Sequence, residues 1–232
     1  MSHLATSSIH IEHQCWLYQI PDSPFGRRRQ SQVARRMLAR MLLSMGCEDC
    51  VSGPWRSGLA LKAHVRQQSG FEVSISHSGP YVALVLSKHA VGIDIECSRR
   101  ERNWLAIAES FFEKCEVGRL RALSVDERRP LFLQMWAIKE AGLKMAEGSL
   151  FDDLNRLCIG HDAVIDQQQW PQTRQHWCWS GQWQGATLAL YGQGQQTAIE
   201  FWICRNIDSG SVQEVGASLW GTYLPVQTGA SV

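Results

Sequence analysis

The feature that most constrains the fold is a block of strand-like alternation in the first half of the chain. Apolar and polar residues alternate at 71–76, a His-Ser-Gly-Pro segment at 77–80 interrupts the pattern, and an apolar run follows at 81–86. A turn-like segment at 87–89 precedes renewed alternation at 90–96. A period of two is typical of strands, and short polar interruptions are typical of turns. We therefore expect three strands, the last two forming a hairpin.

Helical periodicity precedes and follows this block. Apolar residues recur every three or four positions from Ser31 to Met45, and a longer repeat runs to Ala146. Such spacing places apolar side chains on one face of a helix. Pro is tolerated at the first helical position, so the longer helix is expected to begin at Pro130. Shorter helices are expected at 104–112 and 115–123, and strands at 156–159, 177–183, 186–191 and 198–203.

The first of these helices begins in a cluster of basic residues. Six arginines and no acidic residue stand within fourteen positions: Arg27, Arg28, Arg29, Arg35, Arg36 and Arg40. One interpretation is a solvated basic face, which is the usual role of such a cluster. The other is a site for a phosphate-bearing ligand, because guanidinium groups pair well with phosphate oxygens. The sequence leaves both open.

The overall charge argues against some classes of partner. The chain has 23 Lys and Arg against 22 Asp and Glu, a net charge of +1, so charge alone implies neither nucleic acid nor an anionic membrane. No apolar run approaches the roughly 20 residues of a membrane helix, and the first residues lack the pattern of a signal peptide. We expect a cytoplasmic protein whose eight scattered cysteines are reduced thiols.

Two carboxylates share one face of the last strand in the block. Asp94 and Glu96 are two residues apart, which places their side chains about 6.5 to 7 Å apart along the backbone. A cation, a proton or a basic side chain must relieve their mutual repulsion, and their oxygen ligands suit a hard divalent metal. A solvent-exposed strand face is the alternative interpretation.

The long helix and the first turn carry further polar candidates. Trp136, Glu140 and Lys144 recur every four residues and stack on one helix face, while Lys139 lies about 100° round from Glu140. An ordinary Glu–Lys helix pair would account for this pattern. His77 is expected in the turn after the first strand, where backbone N–H groups can meet an anionic oxygen, although a lone turn histidine is usually structural.

The order of these segments resembles the 4'-phosphopantetheinyl transferase superfamily, and specifically its long, two-domain, surfactin-synthetase-activating type. The resemblance spans about residues 74 to 148. It rests on Phe71 to Ser78, Val91-Gly92-Ile93-Asp94-Ile95-Glu96, Phe111-Phe112 with Glu116, and Trp136-Ala137-Ile138-Lys139-Glu140-Ala141 with Lys144.

The resemblance implies an α+β fold of two pseudo-symmetric half-domains packed around a shared cleft. The half-domains would comprise residues 1–98 and 99–232, joined at Ser98-Arg99-Arg100. Such an enzyme transfers the 4'-phosphopantetheine group of coenzyme A to a serine of an apo acyl or peptidyl carrier protein, uses Mg2+ and releases 3',5'-ADP. A non-catalytic carrier-binding relative and a metal-dependent phosphohydrolase are the alternatives. Because both half-sites would lie in one chain, we expect a monomer.

The resemblance also implies roles for individual residues. Asp94, Glu96 and Glu140 would hold the metal, and Glu140 and Lys144 would act in catalysis. Many members carry Gly-Lys-Pro upstream of the Ser-His pair, where this chain reads Leu61-Lys62-Ala63. The coenzyme A contacts would come from Arg36, Lys62, Ser76, His77, Lys139 and Lys144.

The segment from Phe111 to Arg129 is predicted to dock the carrier protein. It combines apolar residues with four basic ones, Arg119, Arg121, Arg128 and Arg129. Carrier domains are generally acidic around their serine, so opposite charge would steer the two proteins together. A packed helix with a solvated face is the alternative interpretation.

Overall fold

The computed structural model describes residues 12–21, 26–50, 58–97, 102–148, 154–160, 165–167, 175–207, 211–214 and 219–228. The predicted half-domain junction at residues 98–100 lies outside the described residues. The helices are α1 (Arg27–Ser44), α2 (Gly58–Ser69), α3 (Trp104–Phe111), α4 (Lys114–Ala122) and α5 (Val125–Ala146). The strands are β1 (His13–Gln19), β2 (Glu72–Ser78), β3 (Tyr81–Ser87), β4 (Val91–Glu96), β5 (Leu157–Ile159), β6 (Ile165–Gln167), β7 (His176–Trp183), β8 (Ala186–Gln193), β9 (Ile199–Asn206), β10 (Ser211–Glu214), β11 (Leu219–Leu224) and β12 (Val226–Thr228).

The predicted α+β class is confirmed. Two larger sheets have the strand orders β10-β9-β1-β3-β2 and β11-β7-β8-β4, and a small third sheet has the order β12-β6-β5. Helices α1 and α2 cover the outer face of the first sheet, the two larger sheets pack face to face, and α3, α4 and α5 cover the outer face of the second. The two larger sheets, each with its own helices, fit the two expected half-domains.

Strand alternation explains this layering. In β3, Leu84 packs toward α1, whereas its neighbours Ala83 and Val85 face the second sheet. Both faces of β3 are therefore buried, which is why its sequence is apolar throughout. In β4 only Val91, Ile93 and Ile95 face the first sheet, and the residues between them face α5.

The hairpin predicted from residues 81–86 and 90–96 is wrong. Strand β3 pairs with β1 on one side and β2 on the other, so both of its edges are already occupied. Strand β4 instead pairs with β8 at the edge of the second sheet. The segment at 87–89 therefore carries the chain from one sheet to the other, which alternation along a single strand cannot reveal.

The predicted start of the long helix at Pro130 is also wrong. Helix α5 begins at Val125, where Ser124 and Glu127 form a capping box with reciprocal side-chain to backbone hydrogen bonds. Pro130 lies inside the helix, near its start. The cap satisfies backbone N–H groups of the first turn, and the proline removes only one later donor, so the helix continues through it.

The two larger sheets exchange strands along the sequence. Strand β9, from the last third of the chain, pairs in parallel with β1 in the first sheet, while β4 lies in the second. The division at residue 98 stays a prediction. Among the described residues, no helix combines the length and apolar character needed to cross a bilayer.

Candidate functional site

The edge strands β2 and β4 meet side by side, and serine side chains join them in place of a backbone ladder. Ser74 Oγ accepts a hydrogen bond from the Ile93 backbone N–H at 3.1 Å. Ser76 Oγ donates to Asp94 Oδ1 at 2.7 Å, and Ser78 Oγ donates to Glu96 Oε2 at 3.0 Å. Both carboxylates of β4 are therefore positioned by serines on one face of β2.

A cleft of about 500 Å³ opens over this junction. Helix α1, helix α2, both edge strands and α5 all contribute to its wall. Its lining comprises Ser31, Ala34, Arg35, Gly58, Leu61, Ile75, Ser76, His77, Asp94, Glu96, Glu140 and Lys144. The structure thus brings together the three predicted metal ligands, Lys144, Ser76 and His77.

The closest charged contact in the cleft joins β4 to α5. Lys144 Nζ lies 2.6 Å from Asp94 Oδ1 and 3.5 Å from Glu140 Oε2, and it also donates to Ser76 Oγ at 3.1 Å. Burial opposes the positive charge of Lys144, but the carboxylates of Asp94 and Glu140 outweigh it and raise its pKa. Lys144 is therefore a cation shared between two acidic side chains.

The other carboxylates are held in conditions that disfavour their charge. Burial, followed by the negative charges of Asp94 and Glu140, raises the pKa of Glu96 to about 7. Burial and the charge of Asp94 likewise raise the pKa of Glu140. The cleft consequently concentrates more negative charge than Lys144 alone relieves, which is a common property of functional sites.

A glycine on β4 allows α5 to approach this closely. A Cβ atom at Gly92 would lie 1.8 Å from the Ala141 carbonyl oxygen and 2.7 Å from the Met145 backbone nitrogen. Glu140 and Lys144 immediately precede those two helix residues. The contact between helix and strand backbones therefore sets how near Glu140 and Lys144 come to Asp94.

The donor set fits a hard divalent cation, although the side chains are not arranged as a finished metal site. Asp94 Oδ2 is buried and has no hydrogen-bond partner among the described residues. It is a carboxylate oxygen beside two further carboxylates whose pKa values are raised. In the part of the chain that the structure describes, no three Asp, Glu, His or Cys side chains are gathered closely enough to hold a metal ion. The ammonium of Lys144 stands between Asp94 and Glu140 instead.

His77 lies in strand β2 and not in the turn that was predicted. Its ring is exposed on the wall of the cleft. Partial desolvation, together with the positive charges of Lys144 and Arg27, lowers its pKa, so the ring is neutral near pH 7. The turn begins only after Ser78, because Ser78 still pairs with Tyr81 of β3.

Lys62 reaches the same region from helix α2. Its Nζ donates to the backbone carbonyl oxygen of Lys144 at 2.8 Å, and burial lowers its pKa. Arg66 of α2 also bonds Glu147, just beyond the end of α5. Lys62 therefore links α2 to α5 next to the cleft.

The arginine on the cleft wall differs from the one that the resemblance implies. Both arginines are exposed, but Arg35 lines the cleft, while Arg36 lies about 100° away round α1 and is not part of the lining. The spacing of Arg27, Ser31 and Arg35 is a signal that could have placed Arg35 on the same helix face as Ser31, because residues four apart share a face. The alternation of Ser74, Ser76 and Ser78 was a second missed signal.

Lys139 is not brought to the cleft. Its side chain is fully buried, 2.9 Å from the carboxylate of Glu116, and it donates to the Leu154 and Leu157 carbonyl oxygens. Glu116 also accepts from the Ile159 N–H at 2.9 Å. This buried ion pair connects α5 to α4 and β5, so the neighbouring residues Lys139 and Glu140 face different surroundings from one helix.

Internal contacts occupy much of the predicted docking segment. Arg119 donates to the Ile159 carbonyl oxygen, Arg121 pairs with Glu109, and Arg128 donates to the Leu120 and Leu123 carbonyl oxygens. Arg129 lines a second cleft with Arg102 and Val125. Three of the four arginines thus already contact other groups of the same chain, which favours the packed-helix alternative for them.

Comparison with known proteins identifies one family. The family model described as the 4'-phosphopantetheinyl transferase superfamily matches residues 90–199. The chain is 31% identical to the 4'-phosphopantetheinyl transferase AcpT of Salmonella typhimurium, over 56% of this chain and 68% of that protein. It is 38% identical to the AcpT of Escherichia coli K12, over 55% of this chain and 63% of that protein.

A third relative is the 4'-phosphopantetheinyl transferase Sfp of Bacillus subtilis, which is 38% identical over 31% of each chain. This match is consistent with the predicted long, two-domain type. The chain spans 45% of the length of a Synechocystis relative and 63% of an AcpT from Escherichia coli O157:H7. The matched region includes β4 and α5, which carry the carboxylates and Lys144 of the cleft.

Proposed function

The chain belongs to the 4'-phosphopantetheinyl transferase superfamily, and from this we propose that it transfers the 4'-phosphopantetheine group of coenzyme A to an apo carrier protein. In this reaction a serine hydroxyl of an acyl or peptidyl carrier protein attacks the β-phosphorus of coenzyme A. The new bond joins the serine oxygen to phosphorus, and the bond to 3',5'-ADP breaks. The observation that carries the proposal is the cluster of Asp94, Glu96, Glu140 and Lys144 in one open cleft.

The donor substrate would bind through its phosphates. The Lys144 ammonium would contact phosphate oxygens in place of the carboxylate oxygens of Asp94 and Glu140. Ser76 and His77 of strand β2 would donate hydrogen bonds to the phosphates. Lys62 stands close enough to α5 to support Lys144. A fixed positive charge beside the reacting phosphorus stabilises the charge that builds on its oxygens, which is the main catalytic effect in phosphoryl transfer.

Asp94, Glu96 and Glu140 would hold Mg2+. The unpartnered Oδ2 of Asp94 and the raised pKa values of the two glutamates support this assignment. When bound, the metal supplies further positive charge to the pyrophosphate and the leaving group. Carboxylate oxygens suit Mg2+, which commonly shares its coordination with substrate phosphates.

Glu140 would also take the proton of the attacking serine. Its side chain is 15% exposed and lines the cleft, so an incoming hydroxyl can reach it. A raised pKa brings the carboxylate closer to the ideal value for a general base near neutral pH.

The test is to incubate the protein with coenzyme A and several apo carrier proteins, with Mg2+ or with a chelator, and to weigh each carrier. We expect one carrier to gain the mass of one phosphopantetheine group, with the gain lost in the chelator. Release of phosphate without carrier modification would support a phosphohydrolase. Carrier binding without any mass change would support a non-catalytic relative.

Two adjacent arginines offer a test of the donor side. We expect Arg35→Ala to raise the KM for coenzyme A roughly tenfold with a smaller change in kcat, since a charged contact to phosphate forms before the reaction and persists through it. Arg36→Ala is the matched control, because it removes the same charge from the next position of α1. Initial rates across a range of coenzyme A concentrations give KM and kcat for each variant. A larger rise in KM in Arg36→Ala than in Arg35→Ala would contradict this prediction and support Arg36, the residue that the resemblance implies, as the nucleotide contact.

A further inference from the structure

Two cysteines outside the cleft lie in direct contact. Cys115 Sγ, in the first turn of α4, is 3.1 Å from Cys158 Sγ in strand β5. Cys115 is exposed and Cys158 is buried. The proposed transfer uses neither thiol, and neither side chain lines the cleft.

The surrounding contacts hold the two thiols in place. Glu116, next to Cys115, accepts a hydrogen bond from the Ile159 N–H at 2.9 Å. Arg119, one turn further along α4, donates to the Ile159 carbonyl oxygen at 2.8 Å. Helix α4 and strand β5 are therefore joined through both backbone groups of Ile159, the residue directly after Cys158. A disulfide bond of about 2.05 Å requires the sulfurs to approach by only about 1 Å.

We infer that Cys115 and Cys158 form a reversible intrachain disulfide by exchange with a low-molecular-weight disulfide such as oxidised glutathione. The Cys115 thiolate attacks one sulfur of oxidised glutathione, the S–S bond of that molecule breaks, and one glutathione thiolate leaves. Cys158 then loses its proton to solvent and attacks Cys115 Sγ, which expels the second glutathione thiolate. Two protein thiols are oxidised, and one small disulfide is reduced to two thiols.

The order of attack follows from access to solvent. An external disulfide can reach the exposed Cys115, whereas Cys158 is covered by protein. Burial and the hydrogen bond with Cys115 raise the pKa of Cys158 to about 12, so it stays protonated until a mixed disulfide is beside it. Cys115 is thus the attacking thiol and Cys158 the resolving thiol.

The bond would close a loop that contains the site helix. The two cysteines are 43 residues apart in sequence, and α5 with Glu140 and Lys144 lies between them. A cross-link over such a loop restricts the unfolded chain, and its stabilisation corresponds to a rise in Tm of roughly 5–10 °C for a protein of this size. The inferred disulfide would therefore stabilise the fold that carries α5, although neither cysteine lines the cleft.

The experiment treats the full-length protein with oxidised or reduced glutathione, then alkylates the free thiols and maps the peptides by mass spectrometry. We expect oxidised glutathione to produce a Cys115–Cys158 cross-link, to raise Tm by the stated amount and to lose both effects on reduction. Cys158→Ser should stop the reaction at a mixed disulfide on Cys115. Cys115→Ser should form no cross-link, and Cys47→Ser, the matched control, should behave as wild type.

Two results would overturn the inference. One is a mixed disulfide that persists on Cys115 of the wild-type protein without a cross-link to Cys158. The other is a rise in Tm that is equally large in Cys115→Ser. These readouts require no carrier protein or coenzyme A, so they do not depend on the proposed transfer activity.

Discussion

Replacing Glu140 by Gln is expected to lower the transfer rate roughly 10²-fold or more, which is the usual range for loss of a general base. The protein should stay folded. Glutamine keeps the shape of the side chain and one weak oxygen ligand, but it cannot take the serine proton. The substitution also removes a negative charge from beside Asp94 and Glu96, so Tm should be unchanged or higher.

The measurement is the rate of carrier modification at saturating coenzyme A and Mg2+, together with thermal unfolding. Glu109→Gln is the matched control, because Glu109 is exposed on α3 and pairs only with Arg121 among the contacts described above. A near wild-type rate in Glu140→Gln would remove the base role from Glu140 and leave the family assignment intact.

Replacing Gly92 by Ala is expected to destabilise the protein by about 3 kcal/mol or more and to lower transfer severely. The added methyl group would lie 1.8 Å from the Ala141 carbonyl oxygen, so α5 must move away from β4 by more than about 1 Å. A helix backbone cannot yield as a flexible side chain can. Such a displacement would separate Lys144 and Glu140 from Asp94, and misplacement by about 1 Å can cost 10²-fold in rate.

Gly118→Ala is the matched control for this prediction. Gly118 lies inside α4, and a Cβ atom there would have no neighbour within 4 Å. Ala is favoured over Gly in a helix by up to about 1 kcal/mol, so this variant should be as stable as wild type or slightly more stable. In denaturant unfolding, Gly92→Ala should therefore be less stable than wild type and Gly118→Ala should not. Only Gly92→Ala should lose transfer activity. Equal stability and activity in Gly92→Ala would show that the contact with α5 does not set the site geometry.

Local spacing predicted the parts of the site that one element supplies. Asp94 and Glu96 share a strand face because side chains alternate, and Glu140 and Lys144 share a helix face because they are four residues apart. These relations depend only on the geometry of a single strand or helix. The structure brings both pairs to one cleft, as the resemblance implied.

Local spacing failed where the outcome depended on which elements meet. The alternation at 81–86 and 90–96 predicted a hairpin, but β3 instead pairs with β1 on one edge and β2 on the other. Lys139 stands beside Glu140 in the motif, yet the packing of α4 and β5 buries it with Glu116. In the arginine cluster, composition indicated a basic segment but not which arginine would line the cleft.

The sequence by itself therefore determined the family, the α+β class and the pairs of polar residues that each element presents. These properties follow from residue order and from the periods of strand and helix. Only the tertiary structure decided that serines of β2 position the carboxylates of β4, that Lys144 lies between Asp94 and Glu140, and that Cys115 meets Cys158. Such contacts join residues that are far apart in the chain, and they depend on how closely backbones approach at positions such as Gly92.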